Sequence, residues 1–269
     1  MTIDLLPSGA VRYHEGAAVR RGLSPRPYLT ATAPGGAPAT EVSPDDHLHH
    51  LGLSLALPDV SGASFWGGST YRRGEGSVML DNHGIQQVTG RDSAPGRVDE
   101  RLVWRARDGS ALLHEERTIS AQADAGQVMV SWTTRLTPAA GGVTFGSPQT
   151  NGRPGAFYGG LFWRTALRTA RVRTADGDGV DAAHGSTSPW IALDGEDASF
   201  VAATSTGMPW FVRSEGYVGF LPAVAVEERR VLAPGETLLL DLVVAIADDP
   251  FADPADVAGR LLSGIRDAV

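Results

Sequence analysis

Three of the chain's seven histidines lie within four residues, in the run Asp46-His47-Leu48-His49-His50. Neutral imidazoles side by side can ligate a divalent metal, or one ring can transfer a proton while its neighbour orients a substrate. If the run is a strand, His47 and His49 share one face and His50 points to the other. A hydrogen-bonded structural cluster at the entrance of a strand is the alternative. The run is therefore the first candidate site, with His47 and His49 as the ligands if a metal binds.

Two segments after this run carry further candidates. Phe65-Trp66-Gly67-Gly68 places an aromatic ring beside flexible glycines, which suits stacking on a sugar, and a core tryptophan that closes a hairpin is the alternative. Arg72 follows and can bind an anion or a carbonyl oxygen. Asn82 and His83 lie at a predicted strand end and offer a donor, an acceptor and a titratable ring. A plain Asx-type turn explains the same pair.

Later in the chain, Glu115-Glu116-Arg117 lies on a predicted strand, which places Glu115 and Arg117 on one face. An arginine keeps a neighbouring carboxylate ionised, as a base or an anchor for sugar hydroxyls requires. An exposed strand face is the alternative. Tyr158 lies in the glycine-rich segment 155–164, where a loop can bring an aromatic ring to a ligand, although core packing explains the segment as well.

Composition excludes several kinds of chemistry. The chain of 269 residues has no cysteine, which rules out disulfides, thiolate nucleophiles and cysteine-bound metals. All 23 basic residues are arginine, so a lysine Schiff base and a P-loop lysine are impossible. The formal net charge of −8, with no basic run, argues against nucleic acid or an anionic membrane as partner. With no long apolar run and no signal-peptide pattern, we expect a cytoplasmic protein.

Alternation of apolar and polar residues, punctuated by Gly, Pro, Asp and Ser, predicts an all-β fold, an antiparallel β-sandwich in a single domain over residues 1–269. Three strands joined by short turns are expected to form a meander: Val98–Arg107, Ala111–Ile119 and Gln127–Leu136. Further strands are predicted at Ser188–Leu193, Ala198–Thr204, Trp210–Arg213, Tyr217–Leu221 and Glu236–Ala247. A short C-terminal helix is predicted from Asp253-Pro254 onward, because Val257, Leu261, Leu262 and Ile265 recur at helical spacing.

Several segments carry a family resemblance. They are Arg26-Pro27-Tyr28-Leu29, the block from Pro44 to Gly52, Phe65-Trp66-Gly67-Gly68, Asp81-Asn82-His83-Gly84, the block from Gly159 to Arg164, and Pro234-Gly235-Glu236. Together they resemble a broad bacterial family called methane oxygenase PmoA-like, and the His-x-His-His block is the most specific of them. The order of elements resembles the galactose-mutarotase-like supersandwich, in which histidines and a carboxylate line a sugar-binding face. The resemblance implies work on a glycoside or an oxidised sugar.

We therefore expect acid–base catalysis on a carbohydrate, of the epimerase, mutarotase or elimination-type lyase class. His50 and His83 are the predicted proton donor and acceptor, and Glu115 is the supporting base. The predicted substrate-binding residues are His47, His49, Trp66, Arg72, Asn82, Arg117 and Tyr158. No cofactor is expected, although a divalent metal stays possible. The alternatives are a metal-dependent oxygenase or hydrolase that uses the histidines, and a non-catalytic sugar-binding module.

Overall fold

Strands form most of the regular structure. The computed structural model describes residues 1–124 and 126–266. Its strands, in chain order, are β1 (Thr2–Asp4), β2 (Val11–His14), β3 (Tyr28–Ala31), β4 (Leu53–Ala56), β5 (Asp59–Val60), β6 (Thr70–Arg72), β7 (Gly76–Val78), β8 (Ile85–Ala94), β9 (Arg97–Arg105), β10 (Ala111–Asp124), β11 (Gln127–Pro138), β12 (Val143–Gly146), β13 (Gly160–Arg164), β14 (Arg171–Thr174), β15 (Trp190–Asp194), β16 (Ser199–Ala203), β17 (Trp210–Arg213), β18 (Gly219–Pro222), β19 (Arg230–Leu232) and β20 (Leu238–Ala247). Its helices are a 3-10 turn (Arg21–Leu23), the one-turn α1 (Val180–Ala183) and the C-terminal α2 (Pro254–Arg266). The predicted antiparallel β class with a short C-terminal helix is confirmed.

The larger sheet has eight strands in the spatial order β14-β15-β16-β20-β11-β10-β9-β8. Its centre is the predicted meander, in which β10 pairs antiparallel with both β9 and β11. Strand β10 runs to Asp124, beyond its predicted end at Ile119, because apolar and polar residues keep alternating along it. Along β11 the buried face carries Val128, Val130, Trp132, Thr134 and Leu136, as the sequence predicts.

The smaller main sheet has seven strands in the order β1-β2-β3-β4-β13-β18-β17. Its inner face packs on the inner face of the larger sheet and encloses one large apolar cluster. The largest side chains between the sheets are the fully buried Trp104, Trp132, Trp163 and Trp210. Removal of this aromatic surface from water is the main stabilising contribution to the sandwich.

The helix α2 covers part of the outer face of the larger sheet. Val257 and Ala258 pack there against Val201 and Val243. Their spacing places apolar residues on one side of the helix, as the sequence predicts. In residues 1–124 and 126–266, no helix has the length and apolar character needed to cross a membrane.

Strand β13 is buried on both faces. Leu161 and Trp163 belong to the core between the sheets, whereas Phe162 belongs to a separate cluster with Trp66 and Phe211. Successive side chains of a strand point to opposite faces, so this second cluster lies on the outer face of the seven-stranded sheet. The same alternation places Arg164 on the outer face. The outer cluster is where the histidine run packs.

Candidate functional site

The histidine run forms two successive turns. The backbone N–H of His47 donates to the Pro44 carbonyl at 2.9 Å, and that of His50 donates to the His47 carbonyl at 2.9 Å. The rings of His47 and His50 consequently stack, with centroids 4.4 Å apart and planes at 17°. His49 meets His50 edge-on at 4.8 Å. The expectation that His50 points away from the other two histidines is wrong, because turns replace the two-residue period of a strand.

Asp46 joins the histidine run to a buried arginine. Its Oδ2 lies 2.7 Å from Nδ1 of His47, and its Oδ1 lies 3.6 Å from Nη2 of Arg164. Desolvation raises the pKa of Asp46, but the hydrogen bond from His47 and the charge of Arg164 outweigh it and lower the pKa. With Nδ1 donating to the carboxylate, the other ring nitrogen of His47, Nε2, is left to accept a proton.

Aromatic rings surround this group of histidines. Phe162, Tyr217 and Trp66 lie 4.9, 5.3 and 5.7 Å from the centre of the His50 ring. Tyr158 contacts Trp66 at 4.7 Å. Trp66 is only 5% exposed, so the structure supports a packed core tryptophan rather than an exposed ring that stacks on a sugar. The half-buried Tyr158 and Tyr217 present the aromatic surface that solvent reaches.

Arg26 holds the separate segments of the site together. Its side chain is buried, at 1% exposure. The guanidinium donates hydrogen bonds to the carbonyls of Leu23 (3.0 Å), Ser24 (3.0 Å), Trp66 (3.1 Å) and His49 (2.6 Å) and to Oγ of Ser54 (3.1 Å). Burial lowers the pKa of Arg26 to about 9, which leaves the guanidinium charged at neutral pH. A single buried cation therefore fixes the backbone of both the histidine turns and the Trp66 segment.

The glycines after Trp66 allow a close approach to His49. Gly68 has a φ of +68°, and a Cβ added there would lie 2.8 Å from Nδ1 of His49. The Gly68 carbonyl accepts a hydrogen bond of 2.7 Å from Nε2 of His83, which is 3% exposed. The structure thus places His83 beside the histidine run, behind the glycine segment, with one ring nitrogen bound to backbone.

Two of the predicted binding residues lie at the edge of this region. Asn82 donates through Nδ2 to the Gly62 carbonyl at 2.9 Å and so fastens a loop. Arg72 is exposed on the hairpin of β6 and β7, where its nearest carboxylate is Glu75 at 3.6 Å. Neither side chain is among those that surround the His50 ring.

Burial keeps two of the three histidines neutral. It lowers the pKa of His49 to about 3, and the charge of Arg26 contributes in the same direction. It also lowers the pKa of His50, with further contributions from His49, His47 and Arg164. Neutral imidazoles can donate and accept hydrogen bonds, but they cannot deliver a proton from an imidazolium at neutral pH. His47, whose side chain is 35% exposed, is the ring of the three that solvent reaches most readily.

Glu115 and Arg117 lie between the two sheets, away from the histidine run. The carboxylate of Glu115 accepts hydrogen bonds from Nε1 of Trp104 at 2.7 Å and from Oγ1 of Thr134 at 2.8 Å. Arg117 is paired with Glu100 through Nε at 2.8 Å. Glu115 and Arg117 do share one face of their strand, as predicted. That face points into the core, whereas the histidine run lies on the opposite, outer side of the seven-stranded sheet. Their burial between the sheets separates both residues from the site.

The described residues do not form a metal centre. Within residues 1–124 and 126–266, no three His, Asp or Glu side chains converge as a group that could hold a metal ion. His47 also commits Nδ1 to Asp46. The donor set of the described residues therefore does not fit a metal with three protein ligands.

Residues 7–261 match a protein-family model described as Family of unknown function (DUF6807). The chain belongs to this family. No curated protein matches the sequence. The resemblance to the PmoA-like family therefore stays a prediction.

Two solved structures are similar to this family member at low sequence identity. One is a galactose mutarotase-like protein from Lactobacillus casei ATCC 334, at 12% identity and a TM-score of 0.46 over 91% of this chain and 99% of that chain. The other is the Slr1438 protein from Synechocystis sp. PCC 6803, at 13% identity and a TM-score of 0.40 over 89% of this chain and 93% of that chain.

Three residues of the site in this family member escaped the sequence-based prediction. Arg26 and Arg164 appeared only inside the segments that carry the resemblance, and Tyr217 appeared only as the start of a strand. Arg164 could have been noticed, because a charged residue that ends a continuous apolar run on a strand needs a buried partner. That partner is Glu41, at 2.7 Å from Nη2. Tyr217 gave no such signal, since its contacts come from segments far apart in the chain.

Proposed function

We propose that the protein is a carbohydrate-active protein that carries out acid–base chemistry at the histidine run, of the epimerase, mutarotase or lyase type. The observation that carries the proposal is the pair of Asp46 and His47, 2.7 Å apart, with the His47 ring stacked on a buried His50. A carboxylate that orients an imidazole is the standard arrangement of a residue that takes up and returns a proton.

In this proposal His47 is the proton-transfer residue. Its Nδ1 faces Asp46, so a proton taken up at Nε2 gives an imidazolium that the carboxylate stabilises. His50 and His49 stay neutral and position hydroxyl or carbonyl oxygens by hydrogen bonds. This assignment exchanges the roles that the sequence suggested for His47 and His50. His83, the other residue proposed from the sequence for proton transfer, donates from Nε2 to the Gly68 carbonyl and in this proposal is a positioning residue.

The surroundings of the pair support a sugar as ligand. Tyr158 and Tyr217 offer half-buried rings, and aromatic faces pack well on the C–H faces of sugar rings. The same rings exclude water from His50, which strengthens the hydrogen bonds made there. The two alternatives differ in what they require. A non-catalytic sugar-binding module needs the aromatic rings and no proton transfer, while a metal-dependent enzyme needs side chains that bind a metal ion.

The test follows proton exchange directly. Purified protein is incubated in D2O with a panel of aldoses and keto-sugars, and proton NMR records anomer interconversion and the loss of carbon-bound hydrogens. We expect the wild type to accelerate one of these processes. His47→Gln should slow it by about 100-fold, the usual contribution of a positioned proton-transfer group. Asp46→Asn should also be impaired, because the imidazole loses its orientation.

The control is His114→Gln, since His114 is an exposed residue on the opposite side of its strand from Glu115 and touches none of the site residues named above. It should behave as the wild type. Sugar binding without exchange in the wild type would replace the proposal with the binding-module alternative. Activity that disappears with a chelator and returns with a divalent metal would favour the metal-dependent alternative instead.

A further inference from the structure

Two buried nitrogen atoms of the site have no hydrogen-bond partner within residues 1–124 and 126–266. They are Nδ1 of His50 and Nη1 of Arg164. Both side chains are buried, at 2% and 1% exposure. Buried polar groups in proteins are paired in the great majority of cases, since an unpaired one retains the full cost of leaving water. Two such atoms in one site call for an explanation.

Both unpaired atoms belong to side chains that contact Tyr217. The guanidinium carbon of Arg164 lies 4.5 Å from the centre of the Tyr217 ring, and the His50 ring lies 5.3 Å from it. Arg164 is also close enough to His50 to help lower the pKa of that imidazole. The two nitrogens therefore belong to side chains that are both neighbours of Tyr217.

The other donors of Arg164 are occupied. Nε and Nη2 bind Oε2 of Glu41 at 3.0 and 2.7 Å, and Nη2 also faces Asp46 at 3.6 Å. Nη1 is thus a donor held in a fixed direction by the rest of the group. A guanidinium nitrogen has no acceptor capacity, so only an acceptor can pair with it. Neutral His50 can donate from Nδ1 at the same time.

The charges around the site favour a negative acceptor. Arg26 is buried, and its hydrogen-bond partners are carbonyls and one hydroxyl rather than a carboxylate. Arg153 and Arg213 are near enough to Tyr158 and Tyr217 to oppose the rise in pKa that burial gives those phenols. Arg153 and Arg213 are thus cations beside the two phenols, whereas Asp46 and Glu41 are already paired with His47 and Arg164.

We propose that the ligand carries a carboxylate group, which accepts hydrogen bonds from Nη1 of Arg164 and Nδ1 of His50. A sugar acid is therefore the substrate class, rather than a neutral sugar. The carboxylate part of this inference stands on the two unpaired donors and the surrounding arginines. The sugar part rests on the proposed function. Arginine is suited to this role, because its planar donors match carboxylate geometry and it does not lose its charge.

The test compares matched ligands by isothermal titration calorimetry on the full chain. The probes are D-glucuronate and D-glucose, which differ in a carboxylate at one carbon, together with D-lactate as a carboxylate that is not a sugar. For the wild type we expect glucuronate to bind at least about tenfold more tightly than glucose, since a charge-assisted hydrogen bond is at stake.

Two variants remove the proposed donors by different routes. Arg164→Lys keeps a cation for Glu41 but cannot present a second fixed donor, and His50→Phe keeps a flat ring but removes Nδ1. The preference for glucuronate should shrink to within about threefold in each, as expected for loss of one charged hydrogen bond. The control is Arg173→Lys, a partly buried arginine paired with Asp194 at 2.7 Å on the larger sheet. It should retain the full preference, and an unchanged urea denaturation curve of each variant excludes loss of folding as the cause.

The outcomes separate the two proposals. If glucose binds as tightly as glucuronate, or the preference persists in both variants, the carboxylate inference is overturned while the carbohydrate function stands. If lactate binds with the same dependence on Arg164 and neither sugar binds, the carboxylate inference is supported and the carbohydrate function fails. If none of the three probes binds, the carboxylate inference is overturned.

Discussion

The imidazoles of His47 and His50 lie parallel, with centroids 4.4 Å apart, yet their surroundings are opposite in character. His47 is half-buried and hydrogen-bonded to a carboxylate, whereas His50 is buried against the rings of Phe162, Tyr217 and Trp66. Burial therefore lowers the pKa of His50 and keeps its ring neutral, in a fixed hydrogen-bonding role. The His47 ring is the one of the pair with a carboxylate partner.

The stability of the protein should fall on mild acidification. The unfolded chain binds protons at His49 and His50 below about pH 6.5, while burial holds their folded-state pKa values lower, to about 3 for His49. Between about pH 6.5 and pH 5 each ring should reduce the free energy of unfolding by at most about 1.4 kcal/mol per pH unit. Urea denaturation at a series of pH values measures this slope.

The His50→Phe variant should show a shallower slope, because one of the two buried rings no longer titrates. His114→Gln, at an exposed position, should keep the slope of the wild type. A slope in His50→Phe equal to that of the wild type would mean that His50 is not a source of the acid sensitivity.

The glycine beside His49 can be tested against a glycine in open space. Gly68 and Gly74 have φ values of +68° and +82°, so alanine is strained at both, by about 1 kcal/mol. An added Cβ meets Nδ1 of His49 at 2.8 Å at Gly68 and nothing within 4 Å at Gly74. Gly68→Ala should therefore be the more destabilising by about 1–2 kcal/mol in urea denaturation, and should weaken ligand binding. Equal effects of the two substitutions would show that His49 moves aside freely.

Arg26→Lys should destabilise the protein by about 3 kcal/mol. A lysine ammonium cannot reach the five acceptors that the guanidinium fork serves, and the carbonyls left over are buried. The comparison is Arg12→Lys, where an exposed arginine pairs with the exposed Asp4 at 2.7 Å and the change should stay within about 0.5 kcal/mol. Similar denaturation midpoints for the two variants would contradict the role of Arg26 as the group that fastens the site.

Substitution of Glu115 should lower stability without affecting activity, and substitution of His47 should do the reverse. Glu115→Gln alters a carboxylate that serves Trp104 and Thr134 in the core, and should cost about 1–3 kcal/mol while sugar binding and proton exchange remain unchanged. His47→Gln should slow exchange by about 100-fold with little change in unfolding free energy, since His47 is half-buried. Loss of exchange in folded Glu115→Gln protein would return Glu115 to the site.

Local residue patterns predicted much of the larger sheet. The turn Asp108-Gly109-Ser110 and the alternation that follows it placed β9, β10 and β11 in order. In the seven-stranded sheet, Trp210–Arg213 was predicted with its observed bounds. The seven-stranded sheet was harder to predict, because β3, β4 and β13 are neighbours in space but distant in sequence. Strands buried on both faces, such as β13, also lack the polar alternation that identifies a strand.

For the site, residue types were informative and residue spacing was misleading. The structure places the histidine run, Trp66, His83 and Tyr158 in one region, which the sequence could not show. Glu115 and Arg117 were assigned to the site because a carboxylate beside an arginine looks the same in a core as in a cleft. Which face of a sheet a strand turns inward depends on pairing with distant strands, and a single sequence does not contain that information.

Strand β13 holds core residues and site residues in alternation: Leu161 and Trp163 point inward, while Phe162 and Arg164 point outward. Insertion or deletion of a single residue within it would therefore exchange the two sets, burying a guanidinium between the sheets and turning a tryptophan toward the histidines. Point substitutions on the outer face can change ligand preference without altering the core. The length of this strand should therefore be constant in the family. Its members should differ there by amino-acid substitution and not by insertion or deletion.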